Sequence, residues 1–232
     1  MLRKLINTYI SKIKKEPYNI DASIPTSYLY GFVFSRVIML LRGKIRFIGR
    51  RQTPFVGSSV TLKAKSLFKM GYGVTIGNGC YIDALSVEGI QFGNNVSIGP
   101  RTKIECTGSI RTLGKGLTVE DNVGLGSDNF YGCAGGISIG QDTIIGNFVS
   151  FHAENHRFSD RNIPIRLQGV THEGIKIGQN CWIGAKVTIL DGVIIEDGCI
   201  IAAGALVKAG VYKKEGIYGG VPAKLIKHRF SE

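Results

Sequence analysis

The feature that most constrains this chain is a six-residue ladder of apolar anchors. Ile177, Ile183, Ile189, Ile195, Ile201 and Val207 follow one another at intervals of six without a slip. The same spacing appears upstream as Ile76 and Ile82, then Phe92, Ile98 and Ile104, then Val119 and Leu125, then Ile139, Ile145 and Phe151. Four residues past the anchors stand small or β-branched residues: Cys80, Val96, Val123, Thr143, Val149, Cys181, Val187, Val193, Cys199 and Ala205. A period of six fits neither the 3.6-residue turn of a helix nor the long alternating strands of a sandwich. It makes a short strand and a corner. Three such sides close a triangular coil, and stacked coils pair strand on strand around a narrow interior. An all-β parallel solenoid is therefore expected over residues 56–210.

Composition agrees where it bears on this. Glycine supplies 32 of 232 residues, nearly twice the usual ~7%, and many follow an anchor directly, as in Ile76-Gly77, Ile145-Gly146 and Ile183-Gly184. With 44% hydrophobic and 20% charged residues, wholesale disorder is excluded. The five cysteines form no C-x-x-C pair, so neither a disulfide framework nor a zinc knuckle is indicated. Cys80, Cys181 and Cys199 occupy the small interior slot as core filler, while Cys106 and Cys133 fall outside it.

Two terminal segments depart from the ladder. In residues 1–55, Leu2, Ile6, Ile10 and Ile13 recur at helical spacing among Arg3, Lys4, Lys12, Lys14 and Lys15, and Tyr28 to Leu41 reads as a second helix after Pro25. The second run is shorter than the ~20 residues of a bilayer span and is interrupted by Arg36. No cleavage site follows the basic opening, so a secretory signal is not expected. This segment is expected to serve as a cap on the β core, as a membrane-surface or lipid-substrate contact, or as both. The basic tail at 211–232 reads as a strand leading into a short C-terminal helix. The period also breaks near 85–91, 106–118 and 127–138, and for longest at 152–176, which carries three of the four histidines. A long excursion from a rigid scaffold is usually functional.

At these residues the chain resembles the hexapeptide-repeat acyltransferases, a left-handed parallel β-helix family that transfers acetyl groups from acetyl-CoA. The matching elements are the ladder, NHRFSD at 155–160, IGQNCWIGAKVTILDGV at 177–193, IIAAGALV at 200–207 and GGVPAKLI at 219–226. Within the family it looks most like the O-acetyltransferases of capsule and O-antigen sugars. The left hand is implied by the resemblance, against the usual right-handed crossover.

Transfer from a thioester to a hydroxyl needs a base to take the alcohol's proton, and histidine is suited to it. No G-x-S-x-G elbow occurs, which favours direct transfer over an acyl-enzyme. His156 stands where the family places its catalytic histidine; His152 competes as base or substrate contact, and Glu154 and Asp160 are nearby acids of which Glu154 is the candidate to orient the imidazole. His172 reads as a loop contact and His228 as a solvated tail residue. The resemblance makes Trp182 a wall of the acceptor or pantetheine groove and Ala185 the backbone donor to the oxyanion. It also makes Ala203 a site of close approach by the pantetheine arm, and Lys208, Lys224 and Lys227 contacts to the phosphates of coenzyme A. It implies a homotrimer with active sites between subunits, a sugar or polysaccharide acceptor and acetyl-CoA as co-substrate, with no metal.

Net charge is +12, more than one coenzyme absorbs, which leaves the N-terminal segment to face another anion. The expected location is the cytoplasm, with peripheral contact at the inner membrane face. Nucleic acid is disfavoured, because the basic residues cluster at the two ends without interleaved aromatic platforms. Other readings are a same-fold acetyltransferase acting on an amino sugar nucleotide, serine or an antibiotic, a zinc lyase using His152, His156 and His172, and a silent scaffold.

Overall fold

The computed structural model describes residues 2–14 and 17–230. The side chains of Ile13 and Lys14, and all of Lys15, fall outside the described residues. Helix α1 (Leu2–Lys14) turns its Ile6 inward, and α2 (Thr26–Arg46) starts after Pro25, whose fixed φ suits a helix entrance. The helix α2 caps the first coil. Gly43 is required there, since a Cβ would stand 1.8 Å from the Pro54 carbonyl oxygen. The Arg36 guanidinium lies 4.8 Å from the Phe55 ring centroid and donates to Thr75 Oγ1 at 3.3 Å. The cap expected of the N-terminal segment is thus present.

Beyond it the chain winds into a three-faced prism. The second face stacks seven parallel strands: Thr61–Lys63, Tyr81–Asp83, Lys103–Glu105, Phe130–Gly132, Ser150–His152, Thr188–Leu190 and Leu206–Val207. The third face stacks seven more, from Phe68–Met70 to Gly210–Tyr212. The first face begins with Phe55–Val56, Thr75–Ile76 and Ser97–Ile98, passes through single bridges at Gly124, and continues as Ile144–Ile145, Trp182–Ile183, Ile200–Ile201 and Gly216–Gly219. Every anchor of the ladder is buried, as are Cys80, Cys181 and Cys199 in the small slot. Each buried Ile contributes roughly 1.5–3 kcal/mol. Tyr131, six past Leu125, extends the ladder: it is fully buried, stacks on Phe151 at 4.7 Å, and its hydroxyl donates to the Leu125 carbonyl at 2.8 Å. Cys106 and Cys133 are buried as well.

The corners obey a rule finer than glycine content. A left-handed residue stands three past the anchor, as at Asn180 (φ 53°), Lys186 (φ 60°) and Gly204 (φ 74°). The glycine directly after the anchor serves a different need. At Gly184 a Cβ would lie 2.6 Å from the Ala203 nitrogen of the next coil, so close stacking demands its absence.

Extra chain leaves the prism at one edge, the corner joining the second and third faces. Residues 84–89, 106–116, 133–136 and 153–174 all lie there, stacked coil above coil. The C-terminal helix is not formed. Lys224–His228 is instead a strand that runs antiparallel to Gly216–Gly219. Gly216–Gly219 would otherwise end the first face with unpaired N–H and C=O groups, and the returning strand satisfies them.

Candidate functional site

The expected site residues fall on two different edges of the prism. Trp182, Ala185 and Ala203 lie on the first face and at the corner joining it to the second, and Lys224 and Lys227 are on the last strand of the first face. His152, Glu154, His156, His172 and Lys208 lie at or beside the corner joining the second face to the third. The second face separates the two groups. Its five or six extended residues span at most ~20 Å.

Trp182 is 54% exposed, outward as the buried Ile183 requires, and is flanked in register by exposed Ile144 and half-buried Ile200. Continuing the register leads to Ile217 and then to exposed Lys227. Next to this column the corner has a distinctive hydrogen-bond pattern. In two of the coils, a side chain two residues past the anchor accepts a backbone N–H of the coil before it. Asn78 Oδ1 accepts from Ser58 at 2.8 Å, and Asn147 Oδ1 from Ser127 at 2.9 Å. The next two residues at this position are Ala185 and Ala203, and a methyl group accepts nothing. The N–H groups of Asn147 and Ala185 are therefore left without the side-chain acceptor that Ser58 and Ser127 possess, as Asn78 is below Pro100. Small side chains also leave this edge open to a narrow ligand, and exposed Lys224 and Lys227 stand on the last strand of the first face. These residues suit an acyl-coenzyme A: backbone donors for its amides or a developing oxyanion, and lysines for its phosphates.

At the other edge the excursion folds back on itself. Asn155–His156 pairs antiparallel with Val170–Thr171, His156 opposite Val170. Extending that register by one pair sets Glu154 opposite His172, and their side chains meet, Glu154 Oε2 to His172 Nε2 at 2.8 Å. The carboxylate expected to orient His156 is thus engaged with His172, because hairpin register and not sequence proximity selects its partner. His156 is exposed, and among the described residues its ring makes no hydrogen bond or ion pair. His152 projects from the second face beside Phe130, ring centroids 5.5 Å apart, and partial burial lowers its imidazole below the ordinary histidine value. Asp160 accepts from the Asn162 N–H and braces the tip of the excursion.

Sequence reasoning missed Asp191. It is buried, and its carboxylate accepts from the Gly174 N–H at 2.7 Å and the Glu173 N–H at 3.0 Å, tying the returning end of the excursion to the prism. The signal was an acid two residues past the anchor Ile189, where the tight turn of one coil meets the end of the long loop. Among the described residues, no group of three or more histidines, cysteines or acids is placed to hold a metal ion.

Residues 174–209 match the family model described as bacterial transferase hexapeptide (six repeats). A probable acetyltransferase of Mycobacterium tuberculosis is 32% identical over 120 residues, which cover 51% of this chain and 38% of that protein. A putative lipopolysaccharide biosynthesis O-acetyl transferase of Escherichia coli, WbbJ, is 30% identical over 156 residues, 64% of this chain and 75% of its own length. Among solved structures, a mutant of AntD, an N-acyltransferase from Bacillus cereus in complex with dTDP and coenzyme A, superimposes with a TM-score of 0.50. That match is at 20% identity and covers 81% of this chain and 88% of AntD, a likeness of fold. The six-residue coils, the family match within them and the shared length with WbbJ lead to one conclusion: the chain belongs to the hexapeptide-repeat acetyltransferases and has their left-handed parallel β-helix.

Proposed function

We propose that this protein is an acetyl-CoA-dependent O-acetyltransferase that modifies a sugar hydroxyl of a cell-surface polysaccharide or its precursor. The observation that carries the proposal is the corner at Ala185 and Ala203, where two successive coils present alanine in place of a side-chain acceptor and backbone donors open beside exposed Trp182. The similarity to WbbJ, named a putative O-acetyl transferase of lipopolysaccharide biosynthesis, supports the acceptor class.

In this reading the His156 imidazole takes the proton of the sugar hydroxyl as its oxygen attacks the thioester carbonyl. The Ala185 N–H donates to the resulting oxyanion. Collapse expels the coenzyme A thiolate, to which the His156 imidazolium returns the proton. Acetyl ester and free thiol are the products. Base and oxyanion donor stand on separate edges of one prism, so we infer that a second copy completes each site, the excursion of one chain reaching the Ala185 corner of the next. A closed ring of three would give every edge a partner.

The test is release of free thiol from acetyl-CoA against a panel of glycans, with amine acceptors in parallel and mass spectrometry of the products. An O-acetylated sugar supports the reading. Acetylation of amines alone, or thiol release by none of the panel when acetyl-CoA is bound, contradicts the acceptor assignment.

A further inference from the structure

The N-terminal helices carry a surface that acetyl transfer does not use. Helix α2 packs inward with Leu29 and Gly43, and the chain that follows it with Phe47. Its opposite side bears Tyr30, Phe34, Val37, Leu41 and Ile45, with Ile48 just beyond the helix, at intervals of three and four residues. These six lie on one continuous stripe and are between 49% and 82% exposed. Leu5 and Tyr9, one turn apart on α1, are also exposed. An unbroken apolar stripe of this length on a helix surface marks an interaction site.

Charge identifies what it meets. Residues 1–51 hold 11 of the 29 lysines and arginines but only two of the 17 acids, so nine of the twelve net positive charges reside there. Two clefts flank the C-terminal end of α2. One, of ≈ 300 Å³, is lined by Arg42, Ile45, Arg46, Ser58 and Ser59; the other, of ≈ 360 Å³, includes Arg50, Arg51 and Lys69 beside Phe47 and Phe68. Guanidinium and hydroxyl donors grouped this way suit a phosphate, and Ile45 belongs both to a cleft and to the stripe. Among the described residues no helix is long and apolar enough to cross a membrane. A second copy of so basic a segment would be repelled; an anionic surface would be attracted.

We propose that α2 lies in the plane of an anionic phospholipid surface, its stripe in the acyl boundary and lipid phosphates in the arginine-lined clefts. Each basic residue near such a surface strengthens partition about fivefold. This holds whichever acceptor the enzyme uses.

The experiment is co-sedimentation of the full chain with vesicles of phosphatidylcholine alone or mixed with phosphatidylglycerol. Binding at least about tenfold stronger to the anionic vesicles is expected. The triple variant Phe34→Ser/Leu41→Ser/Ile45→Ser should lose it at unchanged oligomeric mass, and Arg42→Gln/Lys44→Gln should fall toward the neutral-vesicle level. Should the triple variant not fold, the charge pair alone decides. Excess inorganic phosphate at matched ionic strength should leave binding intact. Four results overturn the proposal: equal affinity for both vesicles, no binding at all, displacement by free phosphate, or a fall in oligomeric mass of the stripe variant. The last would assign the stripe to a second copy of the chain.

Discussion

Replacing Asp191 probes how the prism holds the excursion that carries His156. The carboxylate accepts two backbone N–H groups, those of Glu173 and Gly174, from a buried position. A hydrogen bond to a charged group contributes about 1.5–3 kcal/mol, so Asp191→Ala, which removes both acceptors, should cost about 3 kcal/mol or slightly more. Asp191→Asn keeps one carbonyl oxygen for the two donors and should cost about 1 kcal/mol. If the loss were felt by the whole fold, about 3 kcal/mol would lower Tm by about 6–12 °C for a chain of this size. The geometry predicts a local effect first, because the bonds join residues 173–174 to the core and leave the anchors untouched. The excursion should then open about a hundredfold more often while the prism keeps most of its Tm. Limited proteolysis within residues 157–168 measures that opening, and hydrogen exchange at the Glu173 and Gly174 amides measures it independently. Turnover should fall with it, and acetyl-CoA affinity should not, since the coenzyme contacts proposed at Ala185 and Ala203 lie on the other edge of the prism. Unchanged cleavage, exchange and Tm in Asp191→Ala would refute the assignment of Asp191 as the anchor.

Two further outcomes follow from titratable groups shifted by desolvation. Burial lowers the His152 imidazole, so as pH falls the unfolded chain takes up this proton before the folded one does. Relative to His152→Gln, the wild-type Tm should therefore be level above about pH 7 and decline below about pH 6.5; a difference that is flat down to pH 5 would contradict it. Burial also raises the thiols of Cys80, Cys133 and Cys199, and pushes Cys181 up to about 11. Native protein at pH 8 should react slowly with Ellman's reagent and release five equivalents only on unfolding, whereas rapid native labelling would show that the small slot is open.

The prism was legible because one physical requirement, an apolar side chain pointing inward on each face, repeats at a fixed interval. Ile177 to Val207 could be placed from spacing alone, and so could outward Trp182, its neighbour Ile183 being an anchor. The tail misled for a reason that spacing cannot reveal. Whether Lys224–His228 coils or extends depends on the unpaired edge of Gly216–Gly219 beside it. The excursion was legible in position but not in wiring. Glu154 is two residues from His156 along the chain, yet the hairpin register hands it to His172. Asp191 lay in a regular repeat and looked like an ordinary corner acid, because its role depends on residues 17 and 18 positions earlier. The open corner was readable in principle. Ser58, Asn78, Pro100, Ser127 and Asn147 are succeeded by Ala185 and Ala203, and only the stacked coils make clear that Asn78 and Asn147 cap the coil before them while the alanines do not.

In the proposed reaction His156 carries the proton. The most direct measurement compares acetyl transfer by wild type and His156→Ala, with acetyl-CoA affinity and oligomeric mass determined on the same preparations. A general base contributes about 10²–10⁴ in rate, so turnover should fall at least a hundredfold while coenzyme binding and mass stay unchanged. Near-wild-type turnover in His156→Ala, above all if His152→Ala is inactive in parallel, would contradict the account and move the chemistry to the second face.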